Sequence, residues 1–275
     1  MKFAIAGNGE QTQKIEQGTV GGFLLSVTST TPANITIAVL RSIIVSVRLY
    51  RESLASPTIV VYGDLYSLAV ASNPGSTEGL VLEGTVTDLL GFQIDPAGCW
   101  QLNNGDYLQV SLSVQGSVAG QITTISDMQV LGIEDITPTL TVQNVLSNTQ
   151  TQDLICGDHV KALTIIETDD TARITGISLN SKNGWSCNYD RSEFAAFAAN
   201  QFGAIATQTR TSAYNVYSGG SLHGLRGDLT VNTASTSNAA VVIFGGIADP
   251  VVAARAIETA QKIEARELNR ALGTK

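Results

Sequence analysis

Two histidines carry most of the chemical potential of this 275-residue chain. One closes Cys156-Gly157-Asp158-His159, which pairs a thiol with an imidazole three residues on. The other closes Ser218-Gly219-Gly220-Ser221-Leu222-His223, which pairs hydroxyls with an imidazole. Thiol–imidazole catalysis needs the fold to bring the two groups into hydrogen-bond reach, and sequence proximity does not do that. No further Cys or His completes a zinc set around His159. No G-x-S-x-G accompanies His223. The first motif reads as a strand-edge loop and the second as a flexible loop.

Carboxylates offer other chemistry. Glu167, Asp169 and Asp170 cluster, as do Glu134 and Asp135. Oxygen clusters in β loops can hold Ca²⁺, but no EF-hand spacing is present, so solvated loop charge is the reading. Paired carboxylates for glycoside hydrolysis need only proximity in space. Trp100 and Trp185 are candidates either for sugar stacking or for the core. Neither a phosphate-binding loop nor a dinucleotide fingerprint occurs. We therefore assign no catalytic, cofactor-binding or metal-ligating residue, and expect no cofactor and no enzymatic activity.

The elements that would position such residues are mostly strands. In Ile43–Tyr50, residues Ile43, Val45, Val47 and Leu49 share one face. In Tyr107–Val114 the same holds for Leu108, Val110, Leu112 and Val114. One apolar face per strand marks an antiparallel sheet with a wetter outer side. Further strands are expected at 21–28, 35–39, 58–62, 80–90, 122–133, 174–179, 214–217, 229–231 and 239–244. Asn103-Asn104-Gly105-Asp106 is a hairpin-turn signal. Asp64 is an N-cap for a short helix or irregular crossover at 64–72. Asp190 is another for 190–200, with Glu193 as its capping-box partner. Asp249-Pro250 opens a long helix that Gly273 ends. Residues 1–13 read as a Gly- and Gln-rich arm.

Residues 154–168 resemble residues 14–28. With Val20 set against Val160, Phe23 meets Leu163, Leu25 meets Ile165 and Thr28 meets Thr168, an offset of 140. Three echoes follow in order. Residues 62–73 match 189–200 at 127, Gly105-Asp106 matches Gly227-Asp228 at 122, and residues 132–135 match 246–249 at 114. A shrinking offset is what a second copy with shorter loops produces. The counterparts of Cys156 and His159 are Glu16 and Thr19, so the repeat does not preserve their chemistry. The expected division is an arm at 1–14, a first β unit at 15–137, a linker at 138–153 that could pack as a strand, a second unit at 154–248 and a helix at 249–275. Many short strands in tandem units indicate a mainly β protein of two sandwiches or barrels.

Composition narrows the partners. Residues of AVILMFWYC reach 43 %, enough for a core, while charged residues are only 15 %, below the roughly 25 % usual in globular proteins. Such lightly charged, polar surfaces occur where a protein packs against neighbours, and also in secreted β proteins. The net charge is −8, and residues 249–275 contribute four acidic and five basic groups. The remaining body is therefore acidic, a poor partner for a phosphate backbone, and no direct nucleic-acid binding is expected. Cys99, Cys156 and Cys187 form no disulfide framework and fit a reducing cytoplasm. The apolar run at the N-terminus is too short for a signal peptide, and no stretch is apolar enough to cross a bilayer as a helix.

Together, the tandem β units at 15–135 and 154–249, the N-terminal arm and the low charge resemble double jelly-roll major capsid proteins. These belong to tailless icosahedral phages with an internal membrane, the corticovirus- and tectivirus-like groups. The resemblance covers most of the chain and is architectural, with no diagnostic motif. It implies two eight-stranded jelly rolls per subunit and homotrimers forming pseudo-hexameric capsomers that tile a shell in the virion. It also implies contact with minor capsid or penton proteins and with the internal membrane. The mechanism implied is assembly through interfaces of roughly 2,000–5,000 Å². The C-terminal position of the long helix departs from some members, whose foot helix is N-terminal. Packing under the body or on a neighbouring subunit is the simpler expectation for it. A carbohydrate-binding, adhesin-like protein or virion spike is the alternative reading, and a secreted glycoside hydrolase a further one.

Overall fold

The computed structural model describes residues 1–31, 34–53, 55–72, 82–83, 86–93, 99–131, 138–145, 151–155, 160–167, 174–181, 186–190, 192–193, 196, 213–218, 227–233 and 240–247. The protein is mainly β. Up to residue 131 the elements are β1 (Lys2–Ala6), β2 (Gly9–Ile15), β3 (Gly18–Thr28), α1 (Ile37–Arg41), β4 (Ile43–Tyr50), β5 (Thr58–Asp64), α2 (Leu65–Ser72), β6 (Leu82–Glu83), β7 (Val86–Gln93), β8 (Trp100–Leu102), β9 (Tyr107–Val114) and β10 (Ile122–Gln129). Beyond it come β11 (Pro138–Val145), β12 (Thr151–Ile155), β13 (Val160–Glu167), β14 (Ile174–Ser181), β15 (Ser186–Asp190), β16 (Ala213–Ser218), β17 (Gly227–Thr233) and β18 (Ala240–Ile247).

Alternation builds the best-defined wall. Val45 lies opposite Leu112 and Val47 opposite Val110 across the β4–β9 ladder, and all four are fully buried. They share a core with Phe23, Leu25 and Val27 of β3 and with Trp100 of β8. Each such side chain removed from water contributes roughly 2 kcal/mol. The outward residues of the same strands are polar or half-exposed, as a sandwich wall requires.

The strands form three sheets. One runs β1-β10-β3-β7-β6, with β8 also on β3. The second runs β16-β13-β18-β11-β5-β4-β9-β2, and the third β12-β17-β14-β15. The neighbour order in the two halves is the same. Leaving out the short β6 and β8, number the strands of each half from one to eight. The first half then gives 1-8-3-6 (β1-β10-β3-β7) and 2-7-4-5 (β2-β9-β4-β5). The second gives 1-8-3-6 (β11-β18-β13-β16) and 2-7-4-5 (β12-β17-β14-β15). The halves join where β11 runs parallel to β5, with Leu140 opposite Val61 and Thr141 opposite Tyr62.

Several expectations need correction. Residues 1–14 are not an arm: they form β1 and nearly all of β2, because Phe3 and Ile5 alternate inward and are buried. Polar β2 holds its place through its ladder with β9, at the wet edge of the sheet. Residues 138–153 do pack as a strand, as their reading as a linker allowed. They contain β11, an interior strand paired with both β18 and β5, and the start of β12. Residues 35–39 are not a strand. Thr36 accepts from the Val39 amide at 3.4 Å and starts α1, which buries Val39 and Leu40. The 103–106 turn is tight, with the Asp106 amide donating to Asn103 O at 3.0 Å and Gly105 at φ +90°. However, β8 and β9 belong to different sheets, so the turn is a corner rather than a hairpin.

Pairing also refines the repeat. Asp64 Oδ1 caps α2 by accepting from the Ser67 amide at 2.9 Å. Asp190 Oδ1 accepts from the Glu193 amide at 2.9 Å. Equating these two caps sets the offset at 126, one less than the sequence match. A one-residue change matters because it exchanges the faces of the strand. At 126, Gly63 and Tyr189 both face inward, paired with buried Val45 and Ile177. Following the ladders, Tyr62 lies opposite Ser46, and Ser46 opposite Ser111; Asn188 lies opposite Ser178, and Ser178 opposite Thr230. Ser111 therefore corresponds to Thr230, and the Gly105-Asp106 match to Gly227-Asp228 is out of register. The 132–135 match lies outside the described residues, as does the helix expected at 249–275.

Candidate functional site

The residues with most chemical potential fall largely outside the described part of the chain: Cys156, His159, His223, Glu134, Asp135, Asp169, Asp170 and Trp185. Glu167 ends β13. Trp100 is fully buried and packs on Phe23 with ring centroids 5.9 Å apart, so it is core and offers no face to a sugar. Cys99 is buried and Cys187 half-buried, and neither is in a disulfide. Among the described residues, no three His, Cys, Asp or Glu side chains gather as a metal site would require. Nor, among them, does any helix have the length and apolarity to cross a membrane.

The most concentrated polar arrangement is the corner around Asp106. Its Oδ2 accepts from Arg51 Nη1 at 3.0 Å and from the Asn103 amide at 3.3 Å. Its Oδ1 accepts from the Glu52 amide at 3.0 Å. The same Arg51 nitrogen donates to Gln101 O at 2.7 Å. Burial pushes the Asp106 carboxyl up, but the hydrogen bonds from Glu52, Arg51 and Asn103 outweigh it and hold the group below its ordinary value. A carboxylate so fully engaged is a staple. It ties the connection after β4 to the corner between β8 and β9. Sequence reading found the turn but not the staple, since Arg51 and Asp106 are far apart in the chain.

A shallow cleft of about 370 Å³ lies on the β14–β15 wall, lined by Thr175, Ser178, Asn188, Tyr189, Asp190 and Glu193 among others. It holds two carboxylates, which invites comparison with a glycosidase. Both are committed to a helix start. Asp190 Oδ1 accepts from Ser192 Oγ at 2.6 Å and from the Glu193 amide, and Glu193 Oε2 accepts from the Asp190 amide at 2.9 Å. This is the reciprocal box expected from the sequence. The hydrogen bond from Ser192, then that from the Glu193 amide, holds the Asp190 carboxyl below its ordinary value. A general acid for glycoside cleavage needs the opposite shift. Burial, with a hydrogen bond to Cys187, pushes the Tyr189 phenol up.

The outer face of the first half is a laced wall. Tyr50 and Tyr107, directly opposite across β4 and β9, stack with centroids 4.4 Å apart and planes within 11°. Lys14 Nζ sits 4.3 Å above the Tyr107 ring, and Tyr50 Oη donates to Gln109 Oε1 at 2.9 Å. On the same sheet Thr12 and Ser111 hydroxyls meet at 2.8 Å. Such cross-strand pairs stabilise by about 0.2–1 kcal/mol each and stiffen the surface. Beside them Ile59 and Tyr62 of β5 stay half-exposed. The arrangement supplies rigid walls and partly apolar surface.

No protein-family model matches the chain, and no curated protein matches it. Solved structures do. The chain is similar to the major capsid protein P2 from bacteriophage PM2, with a TM-score of 0.56 and 11 % identity, over 91 % of this chain and 99 % of that one. It also matches N-glycanase F, with a TM-score of 0.30 and 8 % identity, over 90 % and 96 % of the two chains. A third match is to infectious bursal virus derived T=1 particles, at 0.16 and 8 %, over 100 % and 48 %. The latter two scores are too low to carry an argument. At 11 % identity the first is a likeness of fold: this chain is folded, along nearly its whole length, like the phage PM2 capsid protein.

Proposed function

We propose that the chain is a structural subunit of a viral shell, built as two jelly rolls side by side. The observation that carries this is the identical neighbour order, 1-8-3-6 and 2-7-4-5, in both halves. Its support is the likeness of fold to a phage major capsid protein across 91 % of the chain. On this reading the first roll is β1–β10 and the second β11–β18, with the boundary in the 132–137 connection. Three copies would form a capsomer with six β units, and capsomers would tile a virion shell. Minor shell proteins, pentons and an internal membrane would be its neighbours. The stacked, laced walls suit a part that bears load rather than one that turns over substrate. Electron micrographs of the purified chain test this directly. Six-lobed particles containing three copies are expected. Single-copy particles that bind on a glycan array would replace this reading with the carbohydrate-binding one.

A further inference from the structure

The chain contains a template for how its β units meet. The fifth strand of the first half, β5, runs parallel to the first strand of the second half, β11. This junction turns two four-stranded walls into one eight-stranded sheet. Its equivalents are the fifth strand of the second half, β15, and the first strand of the first half, β1. Both are outermost in their sheets, with no strand on their far side among the described residues. Each therefore presents outward backbone N–H and C=O groups, a ready template for another strand.

We propose that β15 of one copy pairs in parallel with β1 of a second copy, repeating between chains the junction that β5 and β11 make within one. This rests on the shell-subunit reading. Five other strands are paired on one side only among the described residues, β2, β6, β8, β12 and β16, but none corresponds to a strand used at the internal junction. The two proposed partners match in length, at five residues each, and neither contains proline, so no outward position lacks an amide, although that of Asp190 is already held by Glu193. On the outward face of β1 stand Lys2, Ala4 and Ala6, and on that of β15 Ser186, Asn188 and Asp190, all exposed. Small and flexible side chains leave the second backbone free to approach. Because β15 and β1 are different surfaces, the contact is head-to-tail. Every copy offers one edge and receives on the other, and the chain of contacts closes as a ring or continues as a filament according to the rotation per copy. Closure after three copies gives six β units.

Hydrogen exchange on the intact chain, above and below its assembly concentration, is the test. The outward amides of 2–6 and 186–188 should slow by about 100-fold on assembly, while that of Asp190 is already held by Glu193. As a second reading, Asn188→Cys is combined in turn with Lys2→Cys, Ala4→Cys and Ala6→Cys in a Cys187→Ser background. Oxidation should yield a covalently closed trimer for at least one pair and none for the single variants. An assembled protein whose two edges exchange as fast as in the monomer, or in which only one edge slows, with no cross-linking pair, overturns this contact and leaves the shell reading standing. A chain that stays monomeric at every concentration overturns both.

Discussion

The two halves share a strand order, and among the described residues the side chains around their helix starts differ. In the first, Asp64 caps a helix whose Leu65, Tyr66 and Leu68 are buried. In the second, Asp190 caps a helical turn through a reciprocal box with Glu193, and Ser192, Glu193 and Ala196 are exposed. Both starts are capped by an aspartate; among the described residues the first adds buried apolar side chains and the second adds the reciprocal glutamate. The corner before β9 is stapled by Asp106 and Arg51. The position of Asp106 has no acidic counterpart once the ladders set the register, since Ser111 then corresponds to Thr230. Topology is thus kept by alternation and by caps, and the identities of the side chains drift beneath it.

Substitutions sharpen that contrast. Trp100→Ala should cost the most, about 4 kcal/mol, because the ring is fully buried against Phe23. Urea unfolding measures it. Because both halves contribute strands to one eight-stranded sheet, the loss should appear as an earlier single transition. Two separated transitions, with only the first moved, would show that the halves are held independently.

Asp106→Asn should cost about 3 kcal/mol at neutral pH, since it removes the carboxylate paired with a nearly buried Arg51. The carboxyl is held below its ordinary value in the fold, so its stabilisation is complete above the unfolded-state value of about 3.9. It fades as pH falls through the lower folded value. The stability gap between the native protein and the variant should therefore close on acidification below about pH 4, and a gap that widens there would be contrary to this account.

Gly105→Ala should cost about 1–2 kcal/mol, because Gly105 sits at φ +90° and a Cβ would come within 2.7 Å of Glu52 Oε2. Thr36→Ala should cost about 1 kcal/mol by uncapping α1. Thermal melts rank these two, and a reversed order would place the strain elsewhere. Glu193→Ala has the smallest expected effect, faster amide exchange at residue 190 with no change in the first half.

Much of this was legible because alternation reports burial directly. Ile43–Tyr50 and Tyr107–Val114 could be read with their inward faces, and both acidic caps could be found by type and spacing. The N-terminal strands were hidden because β2 is polar and takes its place from β9 rather than from its own apolar pattern. The pairing of β11 with β5 was hidden because parallel contacts between distant strands leave no local signal. The repeat was visible at residues 14–28 and 154–168, while its later offsets drifted by one and by three residues where small and acidic residues matched by chance. The chemical motifs misdirect attention for a related reason. Asp190 and Glu193 have the types that catalysis uses, and the fold employs them to start a helix.

The central claim is that two like β units in one chain serve a threefold assembly. Native mass measurement of the purified chain across micromolar concentrations tests it most directly. The account predicts a species of three times 28.9 kDa that persists on dilution. A stable 28.9 kDa monomer throughout that range would contradict it.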